Sequence, residues 1–160
     1  MNSQHADLER QIAVAFVREL ATKPDMTLRG ACEVDVGRTP PPFDPELDSP
    51  SIAYLERHGY DLPFLDADSW RNYLPRLLTL ATGSFSSPSN AVDGMLGSLR
   101  PPDRTPPRFA SLSAKQEAAV VAVLEILAFG EGSVHSEGAC TALEEWWGVA
   151  PIYRYGANVA

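Results

Sequence analysis

Apolar positions recur at helical spacing along most of the chain, and no stretch of convincing length alternates at the two-residue period of a strand. Leu8, Ile12, Ala15, Phe16 and Leu20 share one helical face and predict an amphipathic helix over residues 5–22, ended by Lys23 and Pro24. Thr27 is placed to cap a short helix over Leu28 to Val34, which Gly30 weakens. Ser49 reads as the next N-cap, with Pro50 at the first helical position and Gly59 as the stop. Ile52, Ala53 and Leu55 lie on that helix, with Tyr54 alongside. Pro63 predicts an extended passage through Leu62, Phe64 and Leu65.

Asp66 is positioned to cap a helix that starts at Ala67. Trp70, Tyr73, Leu74, Leu77, Leu78 and Ala81 form a stripe on it that faces the core. Pro75 lies inside the stripe, deletes one backbone hydrogen bond and presses on the carbonyl of Arg71. It predicts a kink, or two short helices, near Tyr73–Pro75. A weaker helix follows over Ala91 to Leu99. Ser113 and Gln116 make the S-x-x-Q capping box at the head of a helix over 114–129. Its Val120, Val121, Val123, Leu124, Ile126 and Leu127 wrap much of the circumference, which predicts a central position. A last helix spans about 137–147, stopped by Gly148 and Pro151.

Between these elements lie two proline-rich connectors, residues 36–50 and the basic stretch 100–108. Pro40-Pro41-Pro42 reads as a stiff connector in preference to a polyproline ligand. The expected fold is therefore all-α: one bundle of six to seven helices with a kink near Pro75. Residues 1–160 make a single domain, with a core over about 5–148 and a tail over 149–160. Ile152-Tyr153-Arg154-Tyr155 is the sole strand candidate.

Composition supports a packed domain: 44% of the 160 residues are hydrophobic, too many for disorder across the whole chain. The longest apolar run, Ala118 to Phe129, is interrupted by Glu125 and falls short of the about 20 residues a membrane span needs. The N-terminus lacks the basic flank and apolar stretch of a secretory signal. Cys32 and Cys140 are far apart and match no metal or redox spacing, as expected of two ordinary thiols in a cytoplasmic protein.

The net charge of −8 is segregated along the chain. Residues 33–68 carry nine carboxylates against two arginines, and residues 116–153 carry six glutamates and no Lys or Arg. Residues 69–115 are net positive, with six basic groups against two aspartates. An acidic chain repels phosphate backbones, which disfavours nucleic acid, and acidic faces steer basic partners.

Motifs for chemistry are absent from the sequence. His5, His58 and His135 show no metal-ligand spacing, and no metal or cofactor is predicted. There is no G-x-S-x-G elbow and no glycine-rich phosphate loop. Cys140 falls on an apolar helix face, where a buried, inert thiol is the usual case. Asp66 and Asp68 suit an N-cap and a first helical turn better than an acid pair. Trp146 and Trp147 diverge by about 100° around a helix, so one enters the core while the other lies at the flank.

Thr27-Leu28 with Asp35 downstream, Phe64-Leu65, Trp70 to Pro75, Leu112-Ser113-x-x-Gln116 and Ala142-Leu143-x-x-Trp146 occur in this order. Together they resemble an uncharacterised family of small bacterial proteins, a domain of unknown function, over roughly residues 8–147. The resemblance implies a bacterial, cytoplasmic, helical protein and assigns no catalytic residue.

The leading functional expectation is a non-enzymatic acidic protein-binding module, most concretely an immunity or inhibitor protein for a basic bacterial toxin. Residues expected at its binding surface are Glu144, Glu145, Trp147, Asp44, Glu46, Asp48, Arg71 and Arg76. The alternative is an enzyme or small-ligand protein with a site assembled from Glu33, Asp35, His58, Arg71 and Tyr73.

Overall fold

The architecture is that of a computed structural model, which describes residues 3–154. Among these residues every regular element is helical. The α-helices are α1 (Ser3–Ala15), α2 (Val17–Leu20), α3 (Leu28–Asp35), α4 (Ile52–His58), α5 (Ala67–Gly83), α6 (Asn90–Ser98), α7 (Ala114–Phe129) and α8 (Ser136–Ala142). A 3-10 helix over Gly59–Phe64 follows α4, and a π-helical turn over Leu143–Trp147 follows α8.

α5 and α7 carry the centre. Trp70, Tyr73, Leu74, Leu77, Leu78 and Ala81 of α5 are all buried, as the stripe predicts. They meet Val120, Val123, Leu124 and Leu127 of α7 in one apolar cluster. α7 also packs against α1, α8 and the π-helical turn, the central position its composition predicts. Its capping box forms in full: Gln116 N–H donates to Ser113 Oγ at 3.2 Å, and Ser113 N–H to Gln116 Oε1 at 3.0 Å. Asp66 caps α5 through Ser69 N–H at 2.8 Å, and Thr27 caps α3 through Gly30 N–H at 2.8 Å.

Several local expectations are corrected. The helix expected over residues 5–22 divides at Phe16, which accounts for the eighth α-helix among the described residues. Phe16 is fully buried, and Asn72 of α5 donates to the carbonyls of Glu19 and Thr22 at 2.9 and 3.1 Å, holding the short α2 against α5. The cap of α4 is Ser51, not Ser49: its hydroxyl accepts from Tyr54 N–H at 3.2 Å. Leu62-Pro63-Phe64 is not extended but belongs to the 3-10 helix. That helix ends against Arg108, whose Nη2 donates to the carbonyls of Leu62, Pro63 and Leu65 at 3.3, 3.2 and 2.5 Å. Of the two outcomes expected at Pro75, a division into two short helices does not occur: α5 runs through the proline as one helix. Arg76 Nη1 donates to the Asn72 carbonyl at 2.7 Å, supporting the backbone next to the carbonyl that the proline leaves without its bond.

One crossing has no tolerance. The 3-10 helix passes α6 so closely that a Cβ on Gly94 would sit 2.1 Å from the Gly59 carbonyl oxygen. Glu56 fixes the same crossing by accepting from Ser89 Oγ and from Asn90 N–H, which caps the head of α6. The chain then returns over the π-helical turn: Ile152 and Tyr153 N–H donate to the carbonyls of Glu144 and Glu145 at 2.9 and 3.0 Å. The strand expected over Ile152–Arg154 is a turn, and Tyr155 lies outside the described residues.

Candidate functional site

Most residues singled out in the sequence are committed to the fold. Asp48 is 1% exposed. Its carboxylate accepts from Arg29 Nε at 3.0 Å, Arg29 Nη2 at 2.7 Å, Tyr54 Oη at 3.0 Å and Asp44 N–H at 2.9 Å. Burial pushes its pKa up, but these donors outweigh burial and hold it below the usual carboxylate value. Tyr54 Oη in turn accepts from Arg29 N–H at 3.1 Å, and Tyr73 Oη from Leu28 N–H at 3.2 Å. Burial pushes both phenols well up. This is a structural clasp between α3, the 36–50 connector, α4 and α5.

Trp147 is likewise interior, and its Nε1 donates to the Leu99 carbonyl at 2.8 Å. Asp48 and Trp147 therefore leave the set of surface residues. Trp146 takes the flank, half-buried against Phe109 with ring centroids 5.4 Å apart. Arg71 is held by Glu19, Asp68 and Ser111 at 3.3, 2.7 and 2.8 Å. Arg76 is turned onto backbone carbonyls. Glu145 is paired with Arg100 at 2.5 and 3.0 Å, which holds its carboxyl below the usual range. Asp44 is half-buried and accepts from Glu46 N–H at 2.8 Å, while Glu46 and Glu144 are exposed.

The basic loop 100–108 is also engaged within the fold. Arg100 holds Glu145, Arg104 donates to the Pro63 carbonyl at 2.5 Å, and Arg108 is buried. Burial, with Arg104 nearby, lowers the Arg108 pKa to about 10.

The residues of the alternative site serve different local contacts, although Glu33, Asp35 and the Asp61 partner of His58 all lie near enough to Cys32 to act on its thiol. Glu33 faces Arg38, Tyr73 bonds to the head of α3, and Arg71 belongs to the α2–α5 pairing. His58 Nδ1 lies 2.9 Å from Asp61 Oδ2. The Asp61 carboxylate is also the largest influence on the Cys32 thiol, and it pushes that thiol up. A thiol kept protonated is the opposite of an activated nucleophile. Among the described residues, no group of three or more His, Cys, Asp and Glu side chains is arranged to hold a metal ion. No helix among them is long and apolar enough to cross a membrane.

What the fold leaves open is a groove between α1 and α7. It encloses about 940 Å³ and is lined by His5, Asp7, Leu8 and Gln11 on one side and Ala122, Glu125, Ile126 and Phe129 on the other. Phe85 lies at its end, edge-on to His5 with centroids 5.6 Å apart. A second hollow of about 460 Å³ shares Asp7 and Gln11 and continues between Arg10, Val14, Lys115 and Ala118. Residues early in α1 face residues late in α7, and the reverse at the other end, so the pair is antiparallel and the two hollows form one trough.

The lining follows from helical periodicity. Lys115, Ala118, Ala122, Glu125 and Phe129 recur every three or four residues and make one face of α7. The opposite face of α7 holds the core. Phe129 is 75% exposed and Val14 61% exposed, so the trough has apolar surface at both ends. Glu125 and Glu131 place carboxylates at the Phe129 end, Lys115 lies at the other, and Asp7 and Arg10 sit where the two hollows meet. Asp7 and Arg10 are 3.5 Å apart but largely exposed, a pair of little strength.

Sequence reasoning passed over this face because Ala118 to Phe129 reads as apolar all round. The available signal was the regular placing of alanine and charge among bulky residues. An all-helical domain with one long open trough is what the fold defines. The chain matches the profile of a family of unknown function (DUF6714) over residues 4–150, and it belongs to that family. Neither the curated proteins nor the solved structures provide a match.

Proposed function

We propose that this chain is a non-enzymatic acidic protein-binding module that takes a basic segment of a partner into the α1–α7 trough. Its most concrete form is an immunity or inhibitor protein that neutralises a basic toxin in the bacterial cytoplasm. One observation carries the reading: Phe129 stands three-quarters exposed at the mouth of the α1–α7 groove, beside Glu125 and Glu131. An exposed aromatic anchor ringed by carboxylates suits recognition of a segment that mixes apolar and cationic side chains. The net charge of −8 adds attraction for a basic partner at longer range.

The test is co-expression with the protein encoded by the adjacent gene, scored by growth. Neutralisation is expected from the wild type and is lost when Glu125 and Glu131 are both changed to Lys. If the neighbour is toxic, this chain leaves it toxic, and the two proteins elute separately, the inhibitor reading is wrong.

A further inference from the structure

Resting on that reading, we infer that the occupant of the trough is an amphipathic helix of about four turns, lying with its N-terminus at the Phe129 end. Three observations lead there.

The first is shape. The trough follows α7 from Lys115 to Phe129, fourteen steps at about 1.5 Å each, so it is about 21 Å long. A straight helix of about the same residue count fills that length. Its floor carries Ala118 and Ala122, whose small side chains let a third helix approach at the 8–10 Å of ordinary helix packing.

The second is hydrogen bonding. Both walls are α-helices whose backbone groups are bonded internally, so the trough offers no strand edge. An extended segment laid there would find no backbone partners in the walls, whereas a helix satisfies its own amides.

The third is charge. Glu125 and Glu131 lie at the Phe129 end and Lys115 at the other, with the Asp7–Arg10 pair between them. A helix carries partial positive charge at its N-terminus and partial negative charge at its C-terminus. The favoured orientation sets the N-terminal turns, with their Lys or Arg side chains, against the carboxylates. Carboxylates of the last turn then face Lys115. A second copy of the chain would bring a further net charge of −8 to the assembly, which opposes self-association.

The experiment uses the full chain, ¹⁵N-labelled, and two synthetic fourteen-residue peptides of identical composition. Both carry leucines at i, i+3, i+7 and i+10. One has lysines in its first two turns and glutamates in its last turn, and the other has that order reversed. The lysine-first peptide is expected to gain helicity on binding and to shift amides within 4–15 and 115–131. It should bind at least about threefold more tightly than the reversed peptide, which can match its lysines to the carboxylates only by turning its negative C-terminus toward them. Ala122→Phe, which fills the floor from an already half-exposed position, should weaken it by at least about tenfold while leaving the circular dichroism of the protein unchanged. Changing Glu125 and Glu131 to Lys should abolish the preference between the peptides.

Equal binding of the two peptides, shifts mapping elsewhere, or no binding by either up to about 1 mM would each overturn the helix proposal. So would a dimer of the free protein in sedimentation equilibrium that Ala122→Phe dissolves. The broader reading fails separately. Toxin neutralisation that survives Ala122→Phe keeps the module and removes the helix. Peptide binding without neutralisation keeps the trough and removes the toxin.

Discussion

Asp48→Asn is expected to destabilise the protein by about 3 kcal/mol at neutral pH. The carboxylate is 1% exposed and accepts four hydrogen bonds, two from Arg29 and one each from Tyr54 and the Asp44 amide. Removing one member of a buried ion pair costs about 3–5 kcal/mol. Arg29 keeps a side-chain exposure of 27%, so water relieves part of its loss and the lower end of that range applies. The amide cannot substitute, because every neighbour of Asp48 is a donor and the new NH₂ must face at least one of them. Urea unfolding followed by circular dichroism should show a lower midpoint at unchanged slope. The melting temperature should fall by about 6–12 °C.

A pH series separates the lost charge from a packing defect. The Asp48 carboxyl is held below its unfolded value, so its stabilisation is complete above about pH 4 and disappears as pH falls through the lower folded value. Asparagine has no proton to take up there. The gap between wild type and variant should therefore be constant from about pH 7 to 5 and narrow steadily below about pH 4. A gap under about 1 kcal/mol at pH 7, or one that does not change on acidification, would refute the reasoning.

Three further outcomes are expected. Gly94→Ala places a carbon 2.1 Å from the Gly59 carbonyl oxygen, and neither backbone can retreat without opening the α6 crossing. A loss of at least about 3 kcal/mol in urea is expected, and a neutral result would mean the crossing is looser than described. Arg108→Met keeps an apolar stem but removes the guanidinium from the carbonyls of Leu62, Pro63 and Leu65, of which Leu62 retains Leu65 N–H and Pro63 retains Arg104, and should cost about 1–3 kcal/mol by the same assay. Phe129→Ser should change folding stability by less than about 0.5 kcal/mol because the ring is 75% exposed, yet weaken partner binding by about tenfold or more in calorimetry. A large loss of stability with unchanged binding would place Phe129 in the fold and not at an interface.

The elements that could be read from the sequence are those whose causes are local. Asp66, Thr27 and Ser113 each cap a helix through an amide three residues on, and a cap is legible wherever that short arrangement appears. The α5 stripe was legible because six buried residues follow one helical period. The errors have long-range causes. The division at Phe16 is stabilised by Asn72, some fifty residues away, and Leu62-Pro63-Phe64 closes into a 3-10 helix whose last carbonyls meet Arg108. Ser49 and Ser51 are equivalent as local signals. The choice of Ser51 goes with Tyr54, whose hydroxyl is anchored on Asp48 and on the head of α3.

The candidate site was less legible than the fold, and the reason is physical. Conspicuous residues drew attention by their chemistry, but a charged or aromatic side chain is conspicuous whether it faces a partner or closes the fold. Asp48, Trp147, Arg71 and Arg76 were chosen on that ground, and each satisfies its polar groups internally. A binding face is instead defined by what the fold leaves unsatisfied, and that depends on which neighbour covers which face. The segment Ala118 to Phe129 could be recognised as a helix but not divided into inner and outer halves until α1 was laid along it. With α5 and α1 both in place, Val120, Val123, Leu124 and Leu127 are covered, while Ala122 lies in the floor and Glu125 and Phe129 in the wall of a trough. The same reasoning locates the informative mutations. Substitutions at the buried clasp report on folding and those on the outer face of α7 on partners, so a variant that moves both readouts together would contradict the division proposed between them.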